Sequence, residues 1–269
     1  MHPGSRSVRA PAVAGAFYPA GLAALAQQVD GLLAGATATV ARPKALIVPH
    51  AGYVYSGPIA ASAYAAIATM TPKPTKIVLL GPAHYVGFSG LALPGVEAML
   101  TPLGLVPVDQ DLAGRVRRFP FVGDSARAHE REHSLEVQLP FLQRTLSHFT
   151  VLPLLVGRAE PDEVAQVLDA VWGGEETLIL VSSDLSHYRS FIEARELDAQ
   201  TALRIVALDG AQLDGEQACG VTPVRGLLSA AREHGLTAQV LDLRNSGDTA
   251  GDRQRVVGYG AFAFTEAAR

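Results

Sequence analysis

The chain has 269 residues, 48% of them hydrophobic and only 18% charged, so it can bury a large core as one domain or two closely fused halves, and extended disorder is excluded. A formal net charge of -4, with no block of like charges, excludes the clustered basic surface that nucleic acid or an anionic membrane would need. One cysteine cannot form an internal disulfide, no apolar run is long enough to cross a bilayer, and the opening MHPGSRSVRAPAVAG lacks the order of a secretory signal, so a soluble cytoplasmic protein is expected.

After a short N-terminal extension over about residues 1–8, Leu22, Leu25, Val29, Leu32 and Leu33 recur at helical spacing. A strand over Ala45 to Val48, the turn PHAGYVYSG and an Ala-rich helix from about Pro58 to Met70 form a β-turn-α unit, with the proline in the first helical turn. A second strand covers Lys76 to Leu80, and Leu91 to Leu93 and TPLGLVPVD read as shorter, antiparallel pieces. Leu135, Leu139, Leu142 and Leu146 form one helical stripe that Pro140 should kink. Strand FTVLPLLVG, a helix over Pro161 to Val171 and a strand over Thr177 to Val181 follow, then a polar helix around Ala194 to Leu208 and another from near Thr222. LTAQVLDLRN and RVVGYGAFAF close the chain as strands around the loop NSGDTAGDR. Strand and helix alternate without a linker or repeat, which predicts a single α/β domain over residues 1–269, a mixed sheet flanked by helices.

Three apolar runs end in histidine followed by tyrosine: ALIVPHAGY at His50, IVLLGPAHY at His84 and LILVSSDLSHY at His187. Each has the length and β-branched content of a buried strand, so each histidine is expected just past a strand's carboxyl end, the rim where ligands bind in an open α/β sheet. One such histidine can simply hydrogen-bond a buried backbone group. Three at the same end of three strands point to a shared site, either metal ligands or an acid and base near neutral pH.

Cys219, in ACGVTP, reads either as a small buried apolar residue or as a thiolate favoured by the helix that begins just after it. Asp184 and His187, three apart, could pair as carboxylate and imidazole, or Asp184 could cap the turn after the strand. Asp248, Asp252 and Arg253 either line the same rim or solvate a loop. A rival signal is the H-E-x-x-H spacing of His129 to His133, which on one helix would grip zinc with Glu130 as the base of a hydrolase. It follows the polar stretch VGDSARA and has no third ligand in a recognisable context, and Glu132 and Glu136 read as solvated charges in a helical first turn.

RAPAVAGAFYPAG, PHAGYVYSGPIAASAY, LLGPAHYVGFSGLALP, EHSLEVQLPFL, PLLVG, VSSDLSHY, ACGVTPV and NSGDTAGDRQRVVGYGAFAF closely resemble the MEMO family, whose prokaryotic members are often labelled AmmeMemoRadiSam system protein B. The matching segments run in order from near residue 9 to near residue 264. The resemblance implies a fold similar to the LigB-like class III extradiol dioxygenases. By that analogy His50 and His84 match two metal ligands, Cys219 matches the third, and His187, with Asp184 to orient it, matches a catalytic group acting on substrate or oxygen. The dioxygenases carry a carboxylate where this chain has Cys219. A thiolate there favours iron or copper, with zinc also accepted, and catechol ring cleavage is not carried over. The resemblance further implies either a redox, dioxygenase-like enzyme acting on a small molecule or a module that recognises a phosphorylated or otherwise anionic peptide. It also suggests a radical S-adenosylmethionine protein and an AMMECR-type protein as partners, while the chain lacks the C-x-x-x-C-x-x-C cluster of the radical enzyme itself.

Overall fold

The computed structural model describes residues 7–37 and 40–266. Most of the expected N-terminal extension lies outside the described residues, and Val8 already belongs to a strand, β1 (Val8–Arg9). Next come α1 (Leu22–Ala34), β2 (Ala45–Val48) and α2 (Tyr53–Thr69). The α2 helix starts five residues before Pro58, because the Gly52 carbonyl already accepts from the Tyr55 and Ser56 nitrogens at 2.8 and 3.1 Å. Pro58 then lies inside the helix, where its missing N–H leaves only the carbonyl of the exposed Val54 without a helical partner.

The chain continues through β3 (Lys76–Pro82), β4 (Leu91–Leu93), the hairpin β5 (Ala98–Thr101) and β6 (Gly104–Pro107), α3 (Gln110–Val116), β7 (Val122–Asp124) and α4 (Ala126–Glu130). The expected kinked helix from Leu135 is instead a 3-10 turn, Glu136–Gln138, followed by α5 (Leu139–Thr145). Pro140 falls in the first turn of α5, where its absent donor costs nothing, so it starts a helix and does not kink one. The rest comprises β8 (Thr150–Val156), α6 (Pro161–Ala170), β9 (Thr177–Ser182), β10 (His187–Arg189), α7 (Phe191–Val206), α8 (Val221–Glu233), β11 (Leu236–Asn245) and β12 (Val256–Glu266).

A nine-stranded sheet runs in the order β10-β12-β2-β9-β3-β8-β4-β7, with β11 paired to β12. The four central strands, β2-β9-β3-β8, are parallel, and antiparallel β12 and β4 flank them, which makes the sheet mixed. β1, β5 and β6 form a separate three-stranded sheet. Side chains alternate across the main sheet: Leu46, Val48, Ile77, Leu79, Leu178 and Leu180 pack with residues of α1, α2 and α5. Ala45, Ile47, Val78, Leu80, Ile179 and Val181 face the opposite way, toward α6, α7 and α8. Burial on both faces is why these strands read as unbroken apolar runs.

The order β2-β9-β3 decides where function sits. His50, Asp184 and His84 each lie two residues beyond the last residue of one of these three adjacent parallel strands. They therefore share one rim. His187 differs from expectation: it begins β10, which returns to pair with Val257 of β12, and so reaches the rim on its own strand.

A candidate metal centre at the strand carboxyl ends

The imidazoles of His50, His84 and His133 converge, each offering a nitrogen within 4.8 Å of the other two. Their ring centroids are 5.2 Å apart for His50 and His84, 5.4 Å for His50 and His133, and 4.7 Å for His84 and His133.

The hydrogen bonds behind the rings select their tautomers. Ser182 Oγ donates to the Ser134 carbonyl at 2.6 Å, so toward Gln138 Nε2 at 2.8 Å and His50 Nδ1 at 3.0 Å it can only accept. His50 therefore carries its proton on Nδ1 and presents the Nε2 lone pair to the cluster. His84 Nδ1 donates to Glu132 Oε1 at 2.9 Å, which leaves its Nε2 free in the same way. His133 Nδ1 is 3.3 Å from Glu132 Oε1 but out of hydrogen-bonding alignment, and it is a buried nitrogen with no partner among the described residues. Two imidazoles held with Nε2 inward beside a third ring are compatible with a metal site.

Electrostatics agree with this geometry. Burial, then the neighbouring His84, holds His50 down to about 3, and burial, then His50, holds His133 at about 4. Both are thus neutral, the form that ligates metal. Glu132, 3% exposed, behaves oppositely: burial would raise it, but hydrogen bonds from His84 and the Ser134 nitrogen bring it to about 2. Its Oε2 accepts the His84 main-chain nitrogen at 2.6 Å, and its Oε1 accepts those of His133 and Ser134 at 2.9 and 3.0 Å. Glu132 is therefore a buried anion that orients the site, and the expectation that it solvates a helix turn is corrected. Glu136 is corrected too, being fully buried and ion-paired with Arg9. Gly81 belongs to the same construction, since a Cβ there would come within 2.9 Å of Ser134 Oγ and of Leu135, the loop that carries His133.

Cys219 Sγ lies 3.2 Å from His50 Nε2 and 3.7 Å from the Asp184 carbonyl, beside the imidazole group but outside it. Burial, reinforced by the Asp184 carboxylate, pushes its thiol up to about 12. The start of α8 does not outweigh these effects, so of the two readings of Cys219 the packed thiol holds over the bare thiolate, and only a nearby cation would displace its proton.

Asp184 and His187 do not pair as expected. Asp184 is buried, which raises its pKa, and its Oδ1 accepts the main-chain nitrogen of His50 at 2.7 Å. His187 Nδ1 donates to the Leu185 carbonyl at 2.8 Å, so main chain orients this ring. The H-E-x-x-H reading fails on geometry: α4 ends at Glu130, His129 Nε2 is spent on the Ala92 carbonyl at 2.8 Å, and Glu130 is exposed.

The rings open into a cavity of about 840 Å³ bounded by Phe17, Tyr85, His187, Tyr188, Arg189 and Glu216. A second lobe of about 500 Å³ shares Phe17, His133, Asp184, His187 and Tyr188 and extends toward Tyr55, Asp252 and Arg255. Asp252 thus lines the rim, whereas Asp248 caps the Asn245 nitrogen at 3.1 Å and Arg253 lies over Phe191. Tyr188, at the junction of the two lobes, is exposed with a left-handed φ of 59°, a conformation that costs a side-chain-bearing residue energy and clusters at functional sites.

A mixed, helix-covered α/β sheet with a histidine cluster at its carboxyl rim defines the class. Residues 9–263 match the family model of Memo-like proteins, and the chain belongs to that family. It is 38% identical to a MEMO1 family protein of Aquifex aeolicus over 96% of this chain and 99% of the relative. Against a MEMO1 family protein of Methanosarcina acetivorans the figures are 35%, 95% and 98%. In fold it is similar to a crystal structure of an uncharacterized Escherichia coli K12 protein, with a TM-score of 0.57 and 14% identity over 82% of this chain and all of that one.

Proposed function

We propose that this protein is a metal-dependent redox enzyme acting on a small molecule, with one iron or copper ion held by His50, His84 and His133; zinc suits the same donors but, having no redox change, would leave the site only Lewis-acid chemistry. Cys219 adds a sulfur donor next to His50 once cationic charge displaces its proton. The observation that carries this reading is the convergence of three imidazole nitrogens within 4.8 Å, two of them held in the ligating tautomer by Glu132 and Ser182. Iron or copper bound there would supply one-electron chemistry and coordination positions open to the cavity.

The remaining residues shape that cavity. His187, with Nδ1–H fixed on Leu185, turns its Nε2 to exchange a proton with a molecule between Tyr85 and Tyr188. Asp184 holds the His50 main chain, and Phe17 covers His133 with ring centroids 4.7 Å apart, which keeps water from that side of the cluster. Elemental mass spectrometry on protein purified without oxygen or added metal tests the reading. Near-stoichiometric iron or copper, lost in His50→Ala and reduced in Cys219→Ser, is expected; a wild-type protein that neither contains nor takes up iron or copper would sink it, and uptake of zinc alone would sink its redox part.

A second reading, recognition of a phosphorylated or otherwise anionic peptide, is favoured by the cavity mouth, where Arg255 lies 5.1 Å over the exposed Tyr188 ring and Arg189 lines the other lobe. On that reading, a phosphorylated peptide binds metal-free and metal-loaded protein equally well.

A further inference from the structure

The segment carrying Glu132 and His133 has almost no regular structure of its own, since α4 ends at Glu130 and the 3-10 turn begins at Glu136. What fixes it comes from the other end of the chain. The buried Arg9 guanidinium donates from Nε and Nη2 to the His129 carbonyl at 3.0 and 2.9 Å, from Nη2 also to the Glu132 carbonyl, and from Nη1 to Glu136. One side chain thus grips the segment at 129, 132 and 136, on both sides of His133.

Glu136 completes the grip in the opposite direction. It accepts the main-chain nitrogens of Ala12 and Val13 at 2.7 and 3.0 Å and the Tyr18 hydroxyl, so the N-terminal segment is bound back onto the loop it holds. Between these contacts, Phe17 packs against the His133 ring, and the Phe17 carbonyl accepts the Tyr53 nitrogen at 2.8 Å, at the start of the helix that follows His50. The segment from Arg9 to Tyr18 therefore touches the third imidazole, the loop under it and the element beside the first imidazole. Salt pairing alone would need one bond from Arg9 to Glu136. The His129 carbonyl accepts from both Nε and Nη2, and the Glu132 carbonyl from Nη2 as well, a geometry that needs the planar guanidinium and that lysine cannot imitate.

We propose that Arg9 is a positioning residue of the metal centre, acting through the 129–136 segment to set the His133 imidazole and the Glu132 carboxylate against His50 and His84. This rests on the metal reading above, and it assigns the N-terminal segment to the site although that segment contributes no ligand. Cobalt(II) titration of the full chain, followed by visible absorption, tests it, because the ligand-field bands report the number and arrangement of donors and not merely the stability of the fold. In folded Arg9→Lys, cobalt affinity is expected to fall about tenfold with a change in the bands, the scale of a lost outer-shell support. Adding Arg9→Lys to His133→Ala should cost less affinity than Arg9→Lys costs the wild type, because only the route through Glu132 and His84 then remains. Wild-type affinity and bands in Arg9→Lys would overturn the proposal, as would losses that simply add in the double variant. Should Arg9→Lys fail to fold, Glu136→Gln loosens the same clamp from its other side and is judged by the same outcomes. A wild-type protein that takes up no cobalt would overturn the metal reading itself, and the role of Arg9 with it.

Discussion

Glu132 holds His84 at both ends, with Oε1 2.9 Å from the ring Nδ1 and Oε2 2.6 Å from the main-chain nitrogen. A ligand whose backbone and ring rest on one buried carboxylate cannot rotate without breaking two charge-assisted hydrogen bonds. Replacing Glu132 by Gln keeps the shape but sets an amide N–H against the His84 N–H and removes the negative charge behind the ring. Metal affinity should fall about 10-fold to 100-fold while the fold is kept. Competition titration against a chelator, with circular dichroism as the fold check, measures this, and wild-type affinity would rule out the orienting role.

His187 and His50 stand differently toward the imidazole cluster. His50 offers Nε2 to it, whereas His187 belongs to β10 and faces the cavity from outside the group. His187→Ala should leave metal content unchanged, and His50→Ala should abolish it. Equal loss from both variants, read by elemental mass spectrometry, would show that the two share one role.

The rim itself was readable in the residues. Apolar β-branched runs ending in His50 and His84 implied strand ends, and those ends do meet, because β2 and β3 are separated only by β9 in a parallel array. The third imidazole was not readable in the same way. His133 sits on a non-periodic segment fixed by Arg9, 120 residues from its His129 contact, and no local spacing encodes so distant a partner. Sequence proximity also misled at Asp184 and His187: three residues apart, they are separated by the chain's turn onto β10, whose partner β12 comes from the far end of the chain. For Cys219 the sequence offered both burial and a helix start without ranking them, and the structure shows that burial decides its protonation.

The H-E-x-x-H spacing makes its own prediction. His129 faces Ala92 and not the cluster, so its Nε2–H serves one carbonyl inside the protein. A glutamine amide can replace that donor. His129→Gln should therefore retain full metal content, and loss of the metal in a folded variant would return His129 to the ligand set.

Asp198 gives the fold a measurable pH dependence away from the cluster. It lies on α7, buried, with Oδ1 accepting the Ser186 nitrogen at 3.0 Å, and it crowds Gly258, where a Cβ would come within 1.9 Å of Oδ2. Burial raises its pKa from 3.8 to about 6, against the opposing hydrogen bonds of Ser186 and the charge of His187. Because the folded value is raised, the protonated form is favoured by folding. Its stabilising contribution is fully present below the unfolded value of 3.8 and is lost as pH rises through about 6. A shift of that size corresponds to about 3 kcal/mol. His50, His129 and His133, neutral through burial, act in the opposite sense, adding stability as pH rises from their folded values of about 3 to 4 up to the unfolded imidazole value of 6.5, above which it is fully present. Both effects operate in the wild type, but Asp198→Asn removes only the first. Urea unfolding of the two proteins from about pH 4 to pH 7 should therefore show the Asn variant gaining about 2 kcal/mol on the wild type, less than the full shift because the unfolded aspartate is already more than half ionised at pH 4. Parallel stability curves would mean that Asp198 titrates alike in the folded and unfolded states and that burial does not raise it.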